Sequence, residues 1–299
     1  MRALGGFDPT LTVFSDHDLY CSFFEKGYTG VILPYVWALD KGILEAIDPT
    51  SVRTSNHDKA ASELEYVRAK HPMPQPKTTG RVTIGIPCYN HAKFLPDAVA
   101  SALAQTHQDL EVMILNDGST DNFDEVAAQF TDPRIQLLSF PENMGIDEAA
   151  NQMALRSTGD WYMTLAADDW IEPDTVEKCL AEFVKDPWLE FVATQTDFFN
   201  EDKGPLNDIH GINQIPKAAN CSREEWLSKF HVGNQYFGVG LYRKDVLLDI
   251  GGWEKKFKVI SDYEVYLKLI ARGNIKIVEE NLTHTRIHEA NRSLLRGDK

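Results

Sequence analysis

Little in the chain marks it for an oxidising compartment. Its cysteines, Cys21, Cys88, Cys179 and Cys221, lie far apart, form no CxxC pair and stand in apolar or mixed surroundings. Reduced structural thiols and a cytoplasmic setting are therefore expected. No uninterrupted apolar run approaches the ~18 residues that a membrane-spanning helix needs. The N-terminus also lacks a basic region followed by an apolar stretch and a small-residue cleavage site. Any membrane contact is expected to be peripheral, at an inner membrane face. Positive charge is scarce as well: 30 Lys and Arg face 45 Asp and Glu, for a formal net charge of -15. Such a field repels a phosphate backbone, which argues against nucleic acid as a partner.

What is present is a chain of 299 residues, enough for one large domain or two ordinary ones with a substantial apolar core. The segment HPMPQPKTTG, residues 71–80, carries Pro72, Pro74 and Pro76. Each removes a backbone donor and pushes its predecessor toward extended geometry, so the segment reads as a linker. Beyond it, short apolar runs predict strands at Val82 to Ile86, Val112 to Leu115, Ile135 to Leu138 and Trp161 to Leu165. Helix-period segments lie between them, at Phe94 to Ala104, Phe123 to Phe130 and Asp147 to Arg156. This alternation predicts an α/β fold with a mainly parallel, doubly wound sheet and helices on both faces, with ligands gathered at the carboxyl ends of the strands.

Residues 1–70 resemble a later part of the chain. LGGFDPTLTVFSDHDLY from Leu4 aligns without gaps on IGGWEKKFKVISDYEVY from Ile250, so that Gly5, Gly6, Asp16 and Tyr20 match Gly251, Gly252, Asp262 and Tyr266. The segment reads as the final third of an earlier copy of the same domain, with the front of that copy missing. It is expected to bury its apolar faces on the main domain or on a second chain, which makes a homo-oligomer conceivable, and not to form a catalytic unit of its own.

Chemistry gathers at three strand ends. The first strand ends in Pro87-Cys88-Tyr89-Asn90 and the second in Asn116-Asp117-Gly118-Ser119-Thr120-Asp121. An Asp held there by a Gly-Ser turn can accept hydrogen bonds from a base N–H or a ribose hydroxyl, while an Asx turn capping the next helix is the plainer alternative. The fourth strand runs into Leu165-Ala166-Ala167-Asp168-Asp169-Trp170. Adjacent carboxylates repel unless a cation intervenes, and a hard divalent ion shared with diphosphate oxygens resolves the conflict. Taken alone, the pair could instead cap the helix that follows Pro173. A nucleotidyltransferase is disfavoured because no Gly-rich basic phosphate loop follows the first strand.

RVTIGIPCYNHAKFLPDAVASALAQTHQDLEVMILNDGSTD, ENMGIDEAANQMALRSTGDWYMTLAADDW and GGWEKKFKVISDYEVYLKLIARG together resemble the family 2 glycosyltransferases, over nearly everything from Arg81 to about Ser293. The resemblance implies a GT-A fold across residues 81–299, a nucleoside-diphosphate-sugar donor such as a UDP-sugar, a divalent metal (Mn or Mg) and inversion at the anomeric carbon. By position, Pro87 and Tyr89 would flank the base, with Asn90 and Asn143 also at the donor. Asp117 would bind base or ribose, and Arg286 would neutralise phosphate. Asp168, Asp169 and His288 would hold the metal. Asp262, opening a helix that runs to about Ala271, would be the general base that takes the acceptor proton, with Glu264 a candidate for orienting the acceptor. As a plain helix N-terminal carboxylate, Asp262 would instead have its pKa lowered by the macrodipole. Of the aromatics Trp226, Tyr236, Phe237 and Trp253, one or two are expected to line the acceptor cleft. One departure stands out: family members often carry Asp-x-Asp-Asp where this chain has Ala166 first. That favours, as the alternative to an enzyme acting on a glycan, lipid-linked or protein acceptor, a weak or inactive sugar-nucleotide-binding scaffold within a larger tandem protein.

Overall fold

The computed structural model describes residues 77–206, 219–222, 225–226, 229, 237–256, 261–272, 274–289 and 291. Contacts within the chain divide it into Met1–Gln75 and Pro76–Lys299, and all the described residues belong to the second unit. The repeat, with Asp16, and Tyr236 lie outside the described residues.

The first half builds a parallel sheet by right-handed crossovers. β1 (Val82–Cys88) leads through α1 (Leu95–Leu103) to β2 (Leu110–Asp117), and α2 (Phe123–Ala127) leads on to β3 (Ile135–Phe140). α3 (Ile146–Arg156) then carries the chain back past β1 to β4 (Trp161–Thr164). Strands β2 and β4 flank β1, both parallel to it. The winding reverses at this point, so the loops after β1 and β4 open into one crevice at their carboxyl ends.

The second half is less regular than the alternating pattern implies. A two-residue strand β5 (Trp170–Ile171) precedes α4 (Thr175–Lys185), and then come β6 (Leu189–Asn200), β7 (Gly240–Arg243), α5 (Lys244–Asp249), α6 (Ser261–Arg272) and β8 (Asn274–Ile287). The eight strands lie in the order β3-β2-β1-β4-β7-β6-β8-β5. β7 runs antiparallel to both β4 and β6, and β5 antiparallel to β8, so the sheet is mixed, with parallel pairing in the majority. For the site, the pairing of Trp170 with His284 matters most, because it carries the end of β8 alongside the loop after β4.

Period-two alternation sorts the strands into two cores. Val82, Ile84, Ile86, Val112, Ile114, Trp161 and Met163 face α1 and α4, packed with Leu95, Val99, Cys179 and Phe183. Met113, Leu115 and Tyr162 face the other way, with Met153, Trp226, Trp253, Val265 and Leu269. Fully burying one such side chain stabilises by about 1.5–3 kcal/mol, so the sheet is pinned from both sides. Burial also pushes the thiols of Cys88 and Cys179 up to about 12, and the described cysteines are free. No helix among the described residues is long and apolar enough to cross a membrane.

Candidate active site

The loops after β1 and β2 are tied to each other. Asn90, at φ 55, donates its backbone N–H to Ser119 Oγ at 3.0 Å and accepts from the Thr120 N–H at 2.8 Å. The Ala92 N–H reaches Asp121 Oδ2 at 2.9 Å. Asn116, not Asp117, makes the Asx turn, accepting from the Ser119 N–H at 2.8 Å. Asp117 is buried and faces the next loop, where its two oxygens accept from the N–H groups of Met144 at 2.7 Å and Gly145 at 3.0 Å. It thereby fixes the loop that carries exposed Asn143 and starts α3. Gly118 is required where it stands: at φ 68, an added Cβ would lie 2.5 Å from the Glu142 carbonyl carbon. Tyr89 is exposed beside this cradle, a ring face available to a base. Pro87 ends the buried part of β1 next to Cys88.

At the end of β4, the two acids turn apart. Neither is a helix cap, since the N-cap of α4 is Asp174. Asp168 is buried and points its Oδ2 at His288 Nε2, 3.0 Å away, and at the Asn291 amide, 3.2 Å away, with His91 Nδ1 at 3.8 Å. His91, Asp168 and His288 each offer one ligand atom, and these atoms lie within 4.8 Å of one another. Two imidazoles and a carboxylate form a donor set that suits a divalent transition ion. Asn291 also holds the cluster from behind, donating to the Arg286 carbonyl at 3.0 Å and accepting from the His288 N–H.

Asp169 has a different hydrogen-bond partner. Its Oδ1 accepts from the Arg286 backbone N–H at 2.9 Å, and burial, followed by the charge of Asp168, pushes its acid well above the ordinary carboxylate range. Arg286 is buried between the rings of Phe94 and Trp170. Its Nε donates to the Asp168 carbonyl at 2.9 Å, Nη1 to the Glu201 carbonyl at 2.6 Å and Nη2 to Asp97 at 2.6 Å. All three guanidinium nitrogens thus serve protein acceptors, and the residue braces the backbone of Asp168.

Asp262 lies apart from these residues, at the N-terminal end of α6. The residue is exposed, yet crowding of its carboxyl by the surrounding chain raises its pKa through desolvation. The Trp253 indole N–H, donating to Oδ1 at 2.9 Å, opposes the rise, and nearby Asp147 adds to it. The direction is opposite to that expected of a plain helix-terminal carboxylate, and desolvation is its main cause. Glu264 pairs with Lys268 on the same helix. Trp226 and Trp253 are buried and Phe237 packs on them, so these aromatics join the core.

The site residues that the sequence pattern did not reveal are His91, Asn291 and Asn151. The clue to His91 was its place directly after Asn90 at a strand end, whereas Asn291 and Asn151 gave no local sign. Asn151, in the middle of α3, clasps Trp253 at both backbone groups, at 2.7 Å and 3.0 Å.

Residues 83–251 match the family described as Glycosyl transferase family 2. A chondroitin synthase of Pasteurella multocida is 36% identical over 215 residues, covering 71% of this chain and 21% of that protein. A chondroitin synthase of Escherichia coli is 30% identical over 224 residues, 73% of this chain and 30% of that one. A poly-beta-1,6-N-acetyl-D-glucosamine synthase of Staphylococcus aureus is 27% identical over 213 residues, 71% of this chain and 51% of the other. The chain therefore spans well under two thirds of these relatives. Among solved structures, Staphylococcus aureus TarS 1–349 in complex with UDP-GlcNAc shares the fold at TM-score 0.58 and 15% identity, over 71% of this chain and 60% of that one. The mannosyltransferase PcManGT of Pyrobaculum calidifontis, with GDP-Man and Mn2+, shares it at 0.51 and 19%, over 79% and 68%. The expected α/β, GT-A architecture is the one found.

Proposed function

The chain belongs to glycosyl transferase family 2 and is a glycosyltransferase, and we propose that it moves a sugar, with inversion, from a UDP-sugar to a glycan acceptor in a metal-dependent reaction. The observation that carries this reading is the convergence at one sheet edge of the Asp117 cradle and the His91–Asp168–His288 cluster. A glycan acceptor is supported by relatives named for the synthesis of chondroitin and of poly-beta-1,6-N-acetyl-D-glucosamine.

In this reading Tyr89 and Pro87 face the base, and Asp117 fixes the loop of Asn143 so that the donor meets a preformed cradle. Asp168, His288 and His91 would hold the divalent ion, which when bound offsets charge on the diphosphate leaving group. Two imidazoles take up part of the role left open by Ala166. Asp169 and Arg286 keep Asp168 in place. Asp262 takes the proton from the acceptor hydroxyl as its oxygen bonds to the anomeric carbon, while the bond to the diphosphate oxygen breaks with its electron pair leaving on that oxygen. A carboxyl whose pKa is raised is a better proton acceptor than an ordinary one, which suits Asp262 to the task.

The test is calorimetry of UDP and GDP with MnCl2, with MgCl2 and with EDTA, followed by a panel of UDP-sugars with oligosaccharide acceptors. UDP binding that needs the ion, and product of inverted configuration, is expected. Equal UDP affinity in EDTA would overturn the metal role, and product of retained configuration would overturn the mechanism.

A further inference from the structure

The base proposed above sits on α6, but what holds it comes from elsewhere. α3 begins at the loop fixed by Asp117, with Gly145 as its N-cap. Within its first turn, buried Asp147 accepts from the Ser261 hydroxyl at 2.7 Å, which anchors the first residue of α6. A turn further, the Asn151 side chain donates to the Trp253 carbonyl at 2.7 Å and accepts from the Trp253 N–H at 3.0 Å. This double clasp fixes the backbone of a buried tryptophan whose indole N–H then reaches Asp262 at 2.9 Å. The clasp also accounts for Gly252. At φ 60, it leaves free the space that the Asn151 amide fills, and an added Cβ there would lie 2.1 Å from Asn151 Oδ1.

Building on the reading of Asp262 as the base, we infer that Asn151 and Trp253 are positioning residues: they hold the Asp262 carboxylate in place and tie its orientation to the helix that Asp117 anchors at the donor cradle. A mid-helix Asn with both amide atoms spent on one distant residue has no role in α3 itself. Its contacts cross 102 residues of sequence to reach the segment beside the base. The indole donates one directed hydrogen bond to a carboxyl whose pKa is otherwise raised, first by desolvation and then by Asp147 from α3. Tyr242 from β7 feels the charge of Asp262, and Lys268 on the same helix is paired with Glu254 and Glu264. Removing the indole bond takes away the one hydrogen bond that opposes desolvation and the charge of Asp147.

The experiment is a carbon-13 NMR titration of the Asp262 carboxyl in the full chain, wild type against Trp253→Phe and Asn151→Ala. Trp253→Phe keeps the packed ring and deletes the donor. The Asp262 midpoint is expected to move up by about one pH unit, the worth of a hydrogen bond to a charged group. Asn151→Ala is expected to move it in the same direction by less, through a loosened Trp253. Circular dichroism and thermal melting establish that both variants are folded, and if one is not, the other carries the test. An unmoved midpoint in a folded variant would overturn the inference. Asp262→Asn with undiminished sugar transfer would instead remove the base reading and leave the titration result standing, so the two failures are distinguishable.

Discussion

Two carboxylates dominate the site, and their surroundings are opposites. Asp168 is met by nitrogen: His288, Asn291 and His91 converge on its Oδ2, and the Arg286 guanidinium reaches its carbonyl. Asp262 is met by the Trp253 indole N–H, with another acid nearby and a pKa raised by desolvation. The first setting is built to share a cation with a ligand. The second destabilises charge and so suits a group that must accept a proton. On the proposed reading, two roles in one reaction are divided between residues of the same type by their neighbours.

This division can be broken in several ways, and the largest effect belongs to Asp262. Asp262→Asn should lower turnover on the order of 100-fold or more, as loss of a general base does. It should do so without unfolding the protein. Because the folded-state pKa is raised, folding favours the protonated acid, and the stability this group contributes is present at low pH and lost as pH rises through the raised value. A permanently neutral Asn should therefore hold or raise the melting temperature at neutral pH. A sharp fall in melting temperature would show that the carboxylate is needed structurally.

Next comes the metal cluster. Asp168→Ala or His288→Ala should cost more than the roughly 10- to 100-fold in metal affinity that changes behind a ligand set cause, read by calorimetry with MnCl2. Asn291→Ala, which removes only the support, should fall within that range. His91→Ala sharpens the comparison: a loss close to that of His288→Ala makes it a full ligand, and no loss excludes it. The smallest effect is expected of Asp169→Asn, whose side chain faces the Arg286 backbone, so Mn2+ affinity should stay within about twofold of wild type, a change of less than ~0.5 kcal/mol. A loss as large as that of Asp168→Ala would return Asp169 to the ion.

The pH profile separates the two carboxylates by a different route. If Asp262 is the base, the acid limb of turnover should lie above the ~3.9 of an ordinary aspartate, because the group is active only when ionised and its pKa is raised. The limb should vanish in Asp262→Asn. A limb unchanged in that variant would place the base elsewhere.

Much of this was legible in the sequence. β1 to β4 were readable because a buried parallel strand is a short apolar run, and Val82–Cys88 and Leu110–Asp117 are such runs with their chemistry at the carboxyl end. The opening of α6 at Ser261 and Asp262 followed from the acid-rich start of an amphipathic segment. The antiparallel second half was not readable, since apolar alternation carries no strand direction and β5 is only two residues long. Asp169 was grouped with Asp168 because they are adjacent, although the folded chain turns their side chains toward different partners. His91 and Asn291 join the site only through the pairing of β5 with β8 and of β1 with β4. Asn151 looks like any polar residue on a helix until Trp253 is packed against it.

The most direct test of the two-carboxylate account is a calorimetric titration of UDP with MnCl2 into Asp262→Asn and Asp168→Ala side by side. The account predicts that Asp262→Asn binds UDP as the wild type does and that Asp168→Ala loses its Mn2+-dependent affinity. Loss of UDP binding in Asp262→Asn, or metal-dependent binding retained in Asp168→Ala, would contradict it.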